Sequence, residues 1–296
     1  MHVTIIGKNN NGGLEKDKLI VTALLQQHDI QVEFRNLDDF IPMPTHTDLC
    51  IHLEIVDERC FAKTNILVPN QEWFMRDWIK YLDRYDAIFC KSHYAYEIFS
   101  TYHSNVKYTG FTSLDCYHEI VKLKECFHSS GKSRAKGTQV LINAFATFDR
   151  ARMHIVTHHT DYTRYDNQQV SYYDRMTAEE YDKFRNRFLI HICPSVVEGF
   201  GHCINEAKAC GAVVLTTNFP PMNELSDHFL IPIEKAYVLP DRLGGIVSIN
   251  PSSITEVLDK LLQRDDLYEI GQENRRSFLH NDQLFREQFM HALYTL

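Results

Sequence analysis

Apolar and polar residues follow one another along the chain in short blocks that repeat a strand-then-helix order. His2-Val3-Thr4-Ile5-Ile6-Gly7 reads as a buried strand, and 14–27 carries Leu14, Leu19 and Ala23 at helical spacing. Further strands are predicted at 30–34, 48–53, 64–69, 87–90 and 106–108, with helices at 73–82 and 94–100. Gly110-Phe111-Thr112-Ser113-Leu114-Asp115 breaks the rhythm, and 110–122 reads as a linker. The alternation then restarts, with strands at 125–128, 153–157, 189–193 and 213–215 and helices at 138–148, 177–188, 254–262 and 282–293. Thr177 followed three residues on by Glu180 is the signature of a capping box, and Gly211 is a helix stop. Such alternation predicts an α/β chain of mostly parallel sheets covered by helices on both faces.

Composition narrows the classes. The 296 residues suffice for two domains, and 44% hydrophobic with 24% charged content is ordinary for a soluble globular protein. A net charge of −8 argues against a general nucleic-acid binder, which needs basic stripes to neutralise phosphates. The eight cysteines form no Cys-x-x-Cys pair, and several lie in apolar runs, which predicts buried reduced thiols and a cytoplasmic location. Met1 leads straight into a strand pattern, so no signal peptide is expected, and no apolar run is long enough for a membrane span.

The densest chemistry lies in Pro194-Ser195-Val196-Val197-Glu198-Gly199-Phe200-Gly201-His202-Cys203-Ile204-Asn205-Glu206-Ala207, closed by Ala209-Cys210-Gly211. Two carboxylates eight positions apart flank a Gly-Phe-Gly turn that opens a helix. A helix start offers unpaired N–H groups and a positive dipole end, which suit a phosphate or a polyhydroxyl ligand. This run resembles the nucleotide-sugar-binding segment of retaining GT-B glycosyltransferases of the family-4 group. Glu198, Glu206 and Gly199-Phe200-Gly201 match its pattern, as do Pro194-Ser195 and Ala209-Cys210-Gly211. The resemblance implies that Glu198, with Gly199, Phe200, Gly201 and His202, holds the donor sugar and that Glu206 binds the ribose. Pro220-Pro221-Met222-Asn223-Glu224 also matches a common family ending, in which Glu224 is structural.

A second cluster, Gly131-Lys132-Ser133-Arg134-Ala135-Lys136-Gly137-Thr138, follows a strand and opens a helix. Its Gly-Lys-Ser is not a P-loop, because Cys126 stands where that motif needs a glycine. It is similar to the donor loop of the same family, whose basic pair grips the donor diphosphate. Lys136-Gly137 fits that loop. Lys132 stands where the family has Arg and lacks its bidentate fork, and Arg134 is the alternative. Cations aimed at a departing diphosphate stabilise charge that develops in the transition state, so no metal or other cofactor is required. No Asp-x-Asp motif is present, and adjacent His158 and His159 in His158-His159-Thr160-Asp161 would face opposite ways on a strand end.

In the first half, Gly12 and Gly13 follow the first strand, where the resemblance places a loop near donor and acceptor; the Gly-x-Gly-x-x-Gly of a dinucleotide-binding dehydrogenase is absent. Asn70 and Glu72, after the fourth strand, are candidates for acceptor or donor sugar, and Trp73 for sugar stacking or core packing. Lys91-Ser92-His93 after the fifth strand is a similar candidate, and 170–176 lies where the family holds the base. The resemblance implies a GT-B fold: two Rossmann-like domains with parallel sheets facing a central cleft. The acceptor-side domain would be 1–112 and the nucleotide-sugar-binding domain 113–296, with a last helix at about 281–296 packing back on the first. The implied reaction is metal-independent transfer of a sugar from a nucleoside-diphosphate sugar to a hydroxyl of a glycan or other acceptor, with retention. The alternatives are a GT-B protein that binds nucleotide sugars without transfer, or a sugar-nucleotide epimerase.

Overall fold

The computed structural model describes residues 1–9, 12–39, 46–57, 61–157, 161–174, 176–226 and 228–296, and these divide into two compact units. The first comprises Met1–Leu114, Val238–Gly245 and Asn281–Leu296, and the second Asp115–Tyr237 and Ile246–His280.

The first unit is built on a six-stranded parallel sheet. Its elements are β1 (His2–Gly7), α1 (Gly13–Gln26), β2 (Gln31–Asn36), β3 (Leu49–Leu53), β4 (Thr64–Val68), β5 (Ala87–Cys90), α2 (His93–Ser100) and β6 (Val106–Tyr108). The strand order is β2-β1-β3-β4-β5-β6, every neighbouring pair parallel. β3 and β5 are buried along their whole length, as parallel strands covered on both faces must be. The helix predicted at 73–82 is instead a 3₁₀ helix, Arg76–Arg84, in which Leu82 is the buried residue. Trp78, Ile79 and Tyr81 of that segment pack with Leu82 against the core of the first unit.

The second unit holds another six-stranded parallel sheet, in the order β12-β11-β10-β7-β8-β9. Its elements are β7 (Leu123–Ser129), α3 (Thr138–Ala144), β8 (Met153–Val156), β9 (Val170–Tyr173), α4 (Ala178–Asn186), β10 (Phe188–Cys193), α5 (His202–Ala209), β11 (Val213–Thr217) and β12 (Phe229–Ile231). The chain then makes a two-stranded pair, β13 (Lys235–Val238) with β14 (Gly245–Ser248), and ends in α6 (Pro251–Leu262) and α7 (Leu267–Tyr294). Counted from β7, the strand order is 3-2-1-4-5-6, the dinucleotide-fold arrangement, with its reversal between β7 and β10. A core of Leu141, Ile142, Phe145, Ile155, Ile190, Ile192, Val213, Leu215, Ile254 and Leu258 packs α3 and α6 against the sheet.

Several elements depart from the pattern-based reading. α3 ends at Ala144 rather than 148, because Asn167 Nδ2 donates to the carbonyls of Phe145 (2.5 Å) and Phe148 (3.2 Å) in the following turn. The helix expected at 282–293 is the last part of the 28-residue α7. Gly271 inside it is a close-approach position, since a Cβ there would lie 2.5 Å from the Gly211 carbonyl oxygen. The capping box of α4 is present, with Thr177 Oγ1 accepting from Glu180 N and Glu180 accepting from Thr177 N.

Candidate active site

The reversal of strand order in a parallel sheet opens a crevice at the carboxyl ends of the two flanking strands. In the second unit those strands are β7 and β10. The loop after β7 carries Lys132, Arg134 and Lys136, and the turn after β10 carries Ser195 to Gly201.

Main-chain contacts lock the two loops together. Val196 N donates to Ala135 O at 2.8 Å. Gly137 has φ +69°, and a Cβ on it would sit 1.9 Å from the Pro194 carbonyl oxygen, so only glycine permits this approach. From β11, Thr216 Oγ1 donates to Cys193 O (3.0 Å) and Thr217 Oγ1 to Ser195 O (2.6 Å), fixing the path out of β10. Beneath the loop, buried His128 on β7 donates from Nδ1 to Ile192 O (2.8 Å) and accepts at Nε2 from Thr138 Oγ1 (2.8 Å). Burial, aided by the Lys136 charge, drives that imidazole down to about 4, so the ring is neutral, as the pair of contacts requires.

On this frame Glu198 and Lys136 meet. Lys136 Nζ donates to Glu198 Oε1 at 2.5 Å, and Ser195 Oγ donates to the same oxygen at 2.6 Å. Burial opposes the Lys136 charge, but Cys203 and Glu198 outweigh it and hold the ammonium above its ordinary range. Gly199, Phe200 and Gly201 are buried, and Gly201 at φ +105° is the N-cap of α5. Its neighbour His202 sets its ring edge-on to Phe200, with centroids 5.4 Å apart. Along α5, Glu206 Oε2 accepts from Arg185 Nη1 at 2.7 Å, and the two side chains are only 7% and 8% exposed. Arg185 also binds Asp182 (2.6 Å) and lies over the Tyr181 ring.

Lys132 is exposed, and Arg134 is exposed and ion-paired with Asp161. The neighbouring residues 158–160, and with them His158 and His159, lie outside the described residues. Among the described residues no group of three or more His, Cys, Asp or Glu side chains is placed to hold a metal ion. Nor, among the described residues, is any helix long and apolar enough to cross a membrane.

The first unit has its own polar cluster at the strand ends. Its strand order reverses between β1 and β3. Gly12 is the N-cap of α1 and Gly13 its first residue; Asn10 and Asn11 of that loop lie outside the described residues. Asn70 after β4 donates to Glu54 Oε2 (2.8 Å) and accepts from Lys91 Nζ (2.8 Å), and Lys91 is ion-paired with Asp17 of α1. Glu54 follows β3 at φ +66° with Ile55 N bonded to Leu53 O (2.8 Å), a strained three-residue turn. Burial raises its carboxyl against the lowering influence of Lys91 and Asn70. Glu72 is buried, its main chain packed under Gly244, whose Cβ would come within 2.8 Å of Glu72 Cα. Trp73 is 49% exposed with Arg242 over its ring, so it is not a core residue. Ser92 caps α2, and His93 stacks on Tyr108.

Sequence reasoning did not single out Asp17, Glu54, Arg185 or the thiol of Cys203. Only Asp17 leaves a trace, as an acid at the helical spacing of buried Leu14, Ile20, Val21 and Leu24.

Residues 125–262 match the family model of glycosyl transferases group 1. Solved structures agree on the fold. A sucrose-phosphate synthase from Thermosynechococcus elongatus superposes with a TM-score of 0.72 at 13% identity, covering 99% of this chain and 98% of the other. Anabaena Alr3699/HepE, solved in complex with UDP and glucose, gives 0.71 at 14% identity over 100% of both chains. A glycosyltransferase from Rickettsia africae ESF-5 gives 0.70 at 12% identity over 98% and 97%. No curated protein matches the sequence. The chain has the GT-B fold of two Rossmann-like domains.

Proposed function

We propose that the chain is a retaining glycosyltransferase that moves a sugar from a nucleoside-diphosphate sugar to a hydroxyl acceptor without a metal. The observation that carries this reading is the Ser195–Glu198–Lys136 constellation at the strand-order reversal, inside the segment that matches group 1 glycosyl transferases. The UDP and glucose in the HepE structure support a nucleotide-sugar ligand for this fold. Lys136 neutralises Glu198, and a diphosphate within its reach offers the same ammonium a second anion. Lys136 then meets the charge that builds on the leaving diphosphate, while Glu198, steadied by Ser195, accepts hydrogen bonds from sugar hydroxyls. Glu206, oriented by Arg185, takes the ribose hydroxyls. Lys132 and Arg134, on the same loop, add positive field for the diphosphate. The departing phosphate takes the acceptor proton, so no protein nucleophile is needed. The first unit, with Gly12, Gly13, Asn70 and Glu72, serves the acceptor side. A cytoplasmic site of action fits the thiol-rich sequence.

The test is release of nucleoside diphosphate from UDP-, GDP- and ADP-sugars with EDTA present, beside a Glu206→Ala control. Hydrolysis of one donor that is lost in the variant supports the reading. Binding without turnover points to a non-catalytic nucleotide-sugar protein, and absence of any binding overturns the reading.

A further inference from the structure

Among the described cysteines, Cys203 is the one that is not buried. It lies in the first turn of α5, where the helix dipole favours an anion. Its sulfur is 3.7 Å from Lys136 Nζ and 3.6 Å from Glu198 Oε1. Behind it stands Cys193, the last residue of β10, whose thiol donates to the Cys203 carbonyl oxygen at 3.7 Å. The neighbouring Cys193 thiol, with help from Lys136 and against burial and the Glu198 and Glu206 carboxylates, draws the Cys203 thiol below its ordinary range, while Cys193 is pushed up. A partly exposed thiol beside a cation, with a second thiol packed on its main chain, is the arrangement of an oxidisable pair.

We infer that Cys203 is a peroxide-sensitive thiol, that Cys193 resolves it to a disulfide, and that this bond switches off the Lys136–Glu198 site. The Cys203 sulfur attacks one peroxide oxygen; an S–O bond forms, the O–O bond breaks, and the departing hydroxide takes the thiol proton as water. The Cys193 sulfur then attacks the sulfenic sulfur; the S–S bond forms, the S–O bond breaks, and the second hydroxide leaves with the Cys193 proton. Two thiols are oxidised and one peroxide becomes two waters. Bonded sulfurs stand about 2 Å apart, so the Cys203 sulfur leaves its place between Lys136 and Glu198 and draws the first turn of α5 with it. A second pair competes for the assignment: the sulfurs of Cys116 and Cys210 are 3.6 Å apart beside Glu206. Those residues are 5% and 0% exposed, which denies an oxidant access.

The effect on activity rests on the proposed function; the disulfide itself does not. The experiment treats the full chain with hydrogen peroxide, maps disulfides by peptide mass spectrometry, and measures UDP-, GDP- and ADP-sugar hydrolysis before and after dithiothreitol. The expected results are a Cys193–Cys203 bond and at least a tenfold loss of hydrolysis that dithiothreitol restores. In Cys193→Ser, Cys203 should accumulate as a dimedone-trapped sulfenic acid. No disulfide, or one between Cys116 and Cys210, overturns the assignment. A Cys193–Cys203 bond with hydrolysis unchanged overturns the switch. If the reduced protein hydrolyses no donor, the functional reading fails while the mapping still decides the thiol pair.

Discussion

Lys136 Nζ lies 2.5 Å from Glu198 Oε1 across 62 residues of sequence, and this contact joins the loop after β7 to the turn after β10. Replacing Lys136 by Met keeps the aliphatic stem and removes the charge. Donor turnover should fall on the order of 100-fold, with Lys136→Arg retaining part of it. Steady-state hydrolysis of the preferred donor measures this; an unimpaired Lys136→Met enzyme would remove Lys136 from the reaction.

Gly137→Ala should be damaging although it adds one methyl group. The new Cβ would meet a main-chain oxygen at 1.9 Å, at a φ of +69° that side chains rarely adopt. Neither atom is the end of a flexible side chain, so the loop must move. The expected loss is roughly 2–4 kcal/mol, read by chemical denaturation, together with weakened nucleotide binding. Wild-type stability in this variant would mean that the loop does not pack on Pro194.

Arg185→Met strips Glu206 of its cation in a setting where both side chains are nearly closed to solvent. Breaking a buried pair on one side costs about 3–5 kcal/mol, while removing both partners costs far less. The double variant Arg185→Met, Glu206→Gln should therefore be more stable than Arg185→Met alone. Equal denaturation midpoints for the two would show that the pair is not buried in solution.

Acid should unfold the protein through two buried imidazoles. Burial takes His128 down to about 4 and His191 to about 3 from an ordinary 6.5. Folded-state values below the unfolded one mean that the unfolded chain binds more protons between them. The stability these rings contribute is intact above about pH 6.5 and is lost as pH falls towards 4 and then 3. At pH 4 the loss is on the order of 3 kcal/mol per ring. Protonated His128 can no longer accept from Thr138, so the loop bearing Lys136 should loosen first. Melting temperatures between pH 7 and 4 check the slope, which should flatten in His128→Asn.

Local rules made much of this legible. The capping box at Thr177 and Glu180 and the apolar strands β3, β5 and β10 are set by neighbours in sequence, and the glycines of the Gly-Phe-Gly turn mark a helix start. α7 was hidden because 267–281 is rich in charge and interrupted by Gly271, whose purpose is a close approach to Gly211, 60 positions earlier. The placing of Val238–Gly245 with the first unit was equally invisible, since no composition shift marks it. The same reason applies to the site. Glu198 and Glu206 stand in a motif, but the partners that set their charge and orientation, Lys136 and Arg185, are fixed by strand order. Glu54 carries no motif at all; its strained turn and its bond to Asn70 exist only once β3 and β4 are paired.

The most direct measurement of the central claim is calorimetric titration with UDP, GDP and ADP, in EDTA, of the wild type and of Glu206→Gln and Lys136→Met. The account predicts that one nucleotide binds the wild type without metal, and that each substitution weakens it at least tenfold. Binding of none of the three, or binding that survives both substitutions unchanged, would contradict it.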